Sequence, residues 1–209
     1  MNLLLSISLC FIPLVITVFL VHILIPDYSN LYAFIGILAG LGAIVPVTIL
    51  QYAIPQLPIT IANTVFSALL FALLFNGLIE ETIKMIFIAF IPGKNKNFNI
   101  FLATAFIIGC SFGCFEAVIY FIAGQKTISI RLITAVILHI LCTGLSGMYL
   151  WTFKNGKGMI SAFITAIILH GIYNFFAGFS GGFWWFSIVT ILFAAIQCRI
   201  YYKKIEETF

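Results

Sequence analysis

Apolar runs of about 20 residues follow one another along the whole of this sequence: Leu3–Ile25, Leu31–Ala53, Ile59–Ile91, Phe98–Ala123, Ile130–Phe153, Met159–Phe179 and Phe183–Tyr202. A helix of that length crosses a hydrocarbon core of about 30 Å. Lipid offers the backbone no hydrogen bonds, so only helices and closed barrels can span it. The short alternating segments of a barrel are missing. Charged residues make up 8% of the chain, against about 25% in ordinary soluble domains. The expectation is an all-α, polytopic membrane protein of seven spans, with residues 1–209 forming one integral membrane domain. An eighth span arises if the long third run breaks near its charged residues.

Loop and end charges then set the orientation. Lys94, Lys96, Lys154, Lys157, Arg199, Lys203 and Lys204 share one side, while Lys126 and Arg131 lie on the other. Positively charged flanks mark the cytoplasmic face, so the C-terminus is expected in the cytoplasm and the N-terminus outside. The net charge of +4 is read as topology and not as affinity for nucleic acid. The N-terminus lacks the basic start and cleavage site of a signal peptide and is read as a mature span. Cys10, Cys110, Cys114, Cys142 and Cys198 fall inside apolar runs and form no disulfide framework. Pro55 and Pro58 break the chain before the third span.

Into that third run the sequence sets Glu80, Glu81 and Lys84. Each charge at mid-bilayer costs roughly 3 kcal/mol on insertion scales, so three within five positions need a reason. Helical spacing puts Lys84 one turn from both carboxylates, where it projects between them and neutralises part of their charge. One carboxylate is left over, a natural general acid or base.

Other spans carry Glu116, His139, and the pair His170 and Asn174, which share one helical face at i,i+4. Counting about 1.5 Å per residue from the basic end puts Glu80, Glu81 and His170 roughly 17 Å deep. His139 comes to roughly 21 Å, Glu116 and Asn174 to roughly 23–27 Å. Four helices thus hold their rare polar groups in one slab around an intramembrane polar cavity. Each group has a plainer reading: a structural ion pair, a shielded carboxyl, a hydrogen-bonded core histidine. Intramembrane ionisable residues nonetheless usually face one another or water. Gly109 and Gly113 form a small face expected to bring their helix against the Glu80 helix, with Phe112 walling Glu116 from lipid. Cys110 and Cys114 lack zinc-site spacing. His22 is read as interfacial.

Glu80-Glu81-Thr82-Ile83-Lys84 fits EExxK, Phe112–Glu116 fits FxxxE, His139 stands alone, and His170–Asn174 fits HxxxN. In that order on successive spans the pattern resembles the PrsW family of intramembrane proteases. That family is grouped with CAAX prenyl endopeptidases and bacteriocin-immunity membrane proteins. The resemblance covers about residues 60–180. Two positions depart from it: Ala117 stands where PrsW proteins commonly have Asn, and Asn174 is an ending typical of the CAAX branch.

The resemblance implies hydrolysis of a peptide bond in a membrane-spanning protein, of the anti-sigma-factor kind. With it the residues take expected roles. Glu80 is the general base and Glu116 shares or orients the water. Glu81 and Lys84 fix the helix and its charge. His170 and Asn174 donate to the oxyanion, and His139 protonates the leaving nitrogen or positions the water. This glutamate mechanism needs no cofactor. A zinc version stays open, with Glu80, Glu116, His139 and His170 as ligands. So do a CAAX-type endopeptidase and an immunity protein that binds without hydrolysis. A transporter is disfavoured, because the chain shows no internal repeat.

Overall fold

The computed structural model of the protein describes residues 3–53, 64–93, 97–124 and 128–209. Every regular element among them is helical, and seven helical stretches are long and apolar enough to cross a membrane. This is a multi-pass membrane protein. The first span is made of α1 (Leu3–Cys10) and α2 (Ile12–Leu24), which meet at Phe11. Pro13, which has no N–H to give, stands in the first turn of α2. The second span is α3 (Asn30–Ala53). The third runs from Val65 to Ala89 as α4 (Val65–Phe71), a π-helical segment (Ala72–Leu78) and α5 (Ile79–Ala89). Then come α6 (Phe98–Ile122), α7 (Ile128–Lys154), α8 (Ile160–Ala177), a 3₁₀ turn (Gly181–Trp184) and α9 (Trp185–Thr208).

The alternative of an eighth span fails, because the helical path is continuous through Glu80 and Glu81. The described part of the long third run, Val65 to Ala89, forms a single span of 25 residues. Pro55 and Pro58, and the loop lysines Lys94, Lys96 and Lys126, lie outside the described residues. His22 has an end-fastening role: Nδ1 donates to the Val18 carbonyl at 2.9 Å, and Nε2 contacts Asn30 Oδ1 at 2.8 Å.

At the centre of the bundle stand α6 and α7. Their most apolar stretches are 61% and 67% buried, against 22–33% for the other spans. Outward faces carry Val15, Phe19, Phe66, Ile133 and Leu192 in the open. Apolar residues exposed on so many helices would be an aggregation surface in water, and in a bilayer they meet acyl chains.

Small residues set the central contacts. A Cβ on Gly40 would lie 2.6 Å from the Ile108 carbonyl oxygen, so α3 seats directly on α6. Ser111 Oγ adds a hydrogen bond to the Ile37 carbonyl at 2.9 Å across that seam. The expectation for Gly109 and Gly113 is corrected: they face α7, where a Cβ would meet the backbone of His139 and Val136. Hydropathy shows that two glycines permit close packing but not which neighbour uses it. Gly77 and Gly171 do the same between the π segment and α8.

Candidate active site

Three seams, α6 on α7, α7 on α8 and the π segment on α8, close around one buried polar cluster. Into it α5 projects Glu80, Glu81 and Lys84, α6 projects Glu116, α7 His139 and α8 His170. All six are buried, with His170, Glu81 and Lys84 at 0% exposure.

Lys84 pairs with Glu81 Oε1, and its Nζ lies 3.3 Å from His139 Nδ1. The sequence expectation placed this ammonium between the two carboxylates; the helix rotation gives it to Glu81 alone. Glu81 is further bonded by His170 Nδ1 at 2.7 Å and by Ser146 Oγ at 3.0 Å. Three donors converge on it, so its charge is fully compensated.

Glu116 is held differently. Its Oε2 accepts from Arg131 Nη2 at 2.8 Å and from His139 Nε2 at 3.1 Å. Arg131 Cζ lies over the Tyr120 ring, 3.7 Å from its centroid. Sequence reading counted Arg131 as a basic flank; α7 begins early enough to carry it inward to the carboxylate.

Glu80 is the remaining carboxylate. Its Oε1 accepts from Gln51 Nε2 at 2.8 Å, a partner from α3 that the motifs did not point to. Its Oε2 is buried and has no hydrogen-bond partner among the described residues, and the same is true of His170 Nε2. These two atoms face each other at 3.4 Å. An unmet buried polar atom costs about 1–3 kcal/mol, so two together mark a place kept for something else.

Both histidines are oriented by carboxylates. A carboxylate can only accept, so His170 donates from Nδ1 to Glu81 and His139 donates from Nε2 to Glu116. This is the arrangement that carboxylates impose on histidines that ligate metals. The other nitrogens differ: His139 Nδ1 lies against Lys84 Nζ at 3.3 Å, whereas His170 Nε2 has no hydrogen-bond partner among the described residues. One donor atom each from Glu80, His139 and His170 can be chosen within 4.8 Å of one another. One carboxylate and two imidazoles form a donor set suited to catalytic zinc, and the two orphaned atoms belong to it. The residues present fit the ion. Glu116, expected as a fourth ligand, stands behind His139 instead, occupied by Arg131.

Phe112 packs edge-on against His139 at 5.0 Å between ring centroids and lies 4.8 Å from Lys84 Nζ. It therefore shields this histidine and ammonium rather than Glu116 alone. Asn174 is set apart from the cluster: its Nδ2 donates to the His170 carbonyl at 3.3 Å and its side chain lines an adjoining cavity. Cys110 lies against Thr17 at 3.4 Å, in the seam with the first span. Gln51, Arg131 and Ser146 were missed because each is an ordinary residue until its helix is rotated into place.

A family model described as PrsW family intramembrane metalloprotease matches residues 29–197. No curated protein and no solved structure matches the chain.

Proposed function

Because this chain belongs to the PrsW family of intramembrane metalloproteases, we propose that it hydrolyses a peptide bond of a membrane-spanning protein at the Glu80–His139–His170 centre. The carrying observation is a count of charges. Lys84 serves Glu81 and Arg131 serves Glu116, which leaves Glu80 as the one carboxylate of the cluster with neither a lysine nor an arginine against it among the described residues. Gln51 pins one of its oxygens and the other stays open.

Amide hydrolysis needs an activated water, stabilisation of the oxyanion and a proton for the leaving amine. His139, His170 and Glu80 would hold a zinc ion, which when bound supplies Lewis-acid activation of water and carbonyl. Glu81 and Glu116 keep both imidazoles turned toward the centre, and Ser146 and Arg131 hold those carboxylates. Glu80 Oε2 is the atom placed to share the ion's charge or, in the glutamate mechanism, to take the proton of the attacking water. Two histidines each backed by a carboxylate favour the zinc version over the cofactor-free one. Lys84 compensates the negative charge beside the reacting carbonyl. Asn174, one turn from His170, lines the adjoining cavity on the substrate side.

The same geometry supports a substrate class. The centre is enclosed by membrane-spanning helices, so its target must present a peptide bond within the bilayer. An anti-sigma-factor-like single-span protein is the proposed kind, with the C-terminus of this chain in the cytoplasm. The test is reconstitution of the purified chain in lipid vesicles with single-span substrates. Site-specific cleavage by the wild type and none by Glu80→Gln supports the reading. Binding without cleavage would move it to the immunity class.

A further inference from the structure

Beside the buried centre lies a cavity of about 570 Å³ between the third span and α8, lined among others by Phe71, Asn76, Asn174 and Phe175. A second, of about 410 Å³, shares Asn76 and Asn174 and extends to Tyr120, Arg131 and Tyr173. Carboxamides are costly at membrane depth unless bonded. Asn174 uses only its amide nitrogen, on its own helix. Asn76, in the π segment, has no side-chain hydrogen bond among the described residues. Gly77 and Gly171 bring the two helices together there, so the two carboxamides border one space.

An intramembrane protease has a specific need at such a place. A helical substrate hides its peptide bonds, and opening them within lipid strands N–H and C=O groups that water cannot reach. A carboxamide carries one acceptor and a two-hydrogen donor, the complement of a peptide unit. Asn76 stands one turn before Glu80 and Asn174 one turn after His170, about 5.4 Å along each axis from the centre. An extended chain advances about 3.3 Å per residue, which puts these side chains about two residues from the bond to be cut.

We propose that Asn76 and Asn174 form a subsite that binds the backbone of an unwound stretch of substrate helix, about two residues from the scissile bond. This rests on the protease reading of the neighbouring centre and adds to it the feature the enzyme selects: a helix that opens easily. Glycine weakens a helix relative to leucine, so a substrate with central glycines is preferred.

The test measures binding and does not depend on turnover. Phe175→p-benzoylphenylalanine puts a photoreactive ring of similar shape on the cavity wall of the full-length chain in phosphatidylcholine vesicles. The probes are a lysine-flanked, leucine-rich transmembrane peptide with Gly-Gly at its midpoint and the same peptide with Leu-Leu. Illumination should give several-fold more adduct with the Gly-Gly peptide, mapped by mass spectrometry to its centre. Adding Asn76→Leu should remove that preference and Asn76→Gln should retain it, with unfolding temperature checking that each variant is folded. The lipid-facing Ile168→p-benzoylphenylalanine should show no preference. Equal yields from both peptides, or adducts away from the midpoint, overturn the subsite whatever Asn76→Leu does. The Gly-Gly preference without cleavage of any substrate would leave the subsite standing and remove the hydrolysis.

Discussion

Glu80 Oε2 and His170 Nε2 stand 3.4 Å apart in the interior of the bundle, both buried and neither hydrogen-bonded among the described residues. Around them every other carboxylate oxygen pair has a cation. The protein thus pairs two of these three buried glutamates with a lysine or an arginine and holds the third against a histidine nitrogen. That asymmetry separates groups that hold the site from groups that act in it.

Glu80→Gln should lower the rate of hydrolysis by about 10² to 10⁴, the usual contribution of an acid or base. The amide keeps the shape of the carboxyl and can still meet Gln51, so the unfolding temperature in detergent should stay near that of the wild type. Cleavage at the wild-type rate would return Glu80 to a structural role.

Metal content is a separate measurement. Purified wild type should carry about one zinc per chain, and His170→Ala or Glu80→Ala should carry little. Glu81→Leu removes the acceptor that orients His170, and loss of such a partner weakens binding by about 10- to 100-fold. Stripping with a permeant chelator should abolish cleavage, and zinc should restore it. A metal-free chain with full activity would leave the glutamate mechanism.

Lys84→Met should act on folding first. Glu81 would lose its cation in a fully buried setting, and breaking one side of such a pair costs about 3–5 kcal/mol. Thermal unfolding should show a clear drop before activity is considered. Arg131→Leu should cost less, because the Arg131 and Glu116 side chains retain 18% and 11% exposure. An unchanged unfolding temperature for Lys84→Met would mean the pair carries no stability.

Gly109→Ala tests the α6–α7 seam. The new Cβ would lie 2.8 Å from the His139 carbonyl carbon, backbone that has little room to yield. A cost of about 1–3 kcal/mol is expected, together with a displaced His139 and reduced zinc content. Gly182→Ala, with open space around it, should stay within about 0.5 kcal/mol. Equal behaviour of the two variants would show that the seam is not tight.

A reporter fused after Phe209 should be active only in its cytoplasmic form. Of the two basic residues on the opposite flank, Arg131 is committed to Glu116, which leaves the charge bias along the chain even more one-sided. Activity of an external reporter would reverse the orientation.

The sequence by itself determined the seven spans and the rare ionisable residues inside them. Both follow from local transfer free energies: twenty apolar residues cross a bilayer, and a buried charge must have a purpose. Spacing was enough to put His170 one turn from Asn174 and Lys84 one turn from Glu80 and Glu81. Only the tertiary structure decided which of these neighbours interact. Lys84 took Glu81 because the rotation of α5 toward α7 and α8 brings Ser146 and His170 to the same carboxylate, while α3 supplies Gln51 to Glu80. Arg131 became a partner of Glu116, and Gly109 a seat for α7, through contacts between helices. Helix rotation and crossing are fixed by the packing of whole faces, and no stretch of one helix encodes the partner that will meet it.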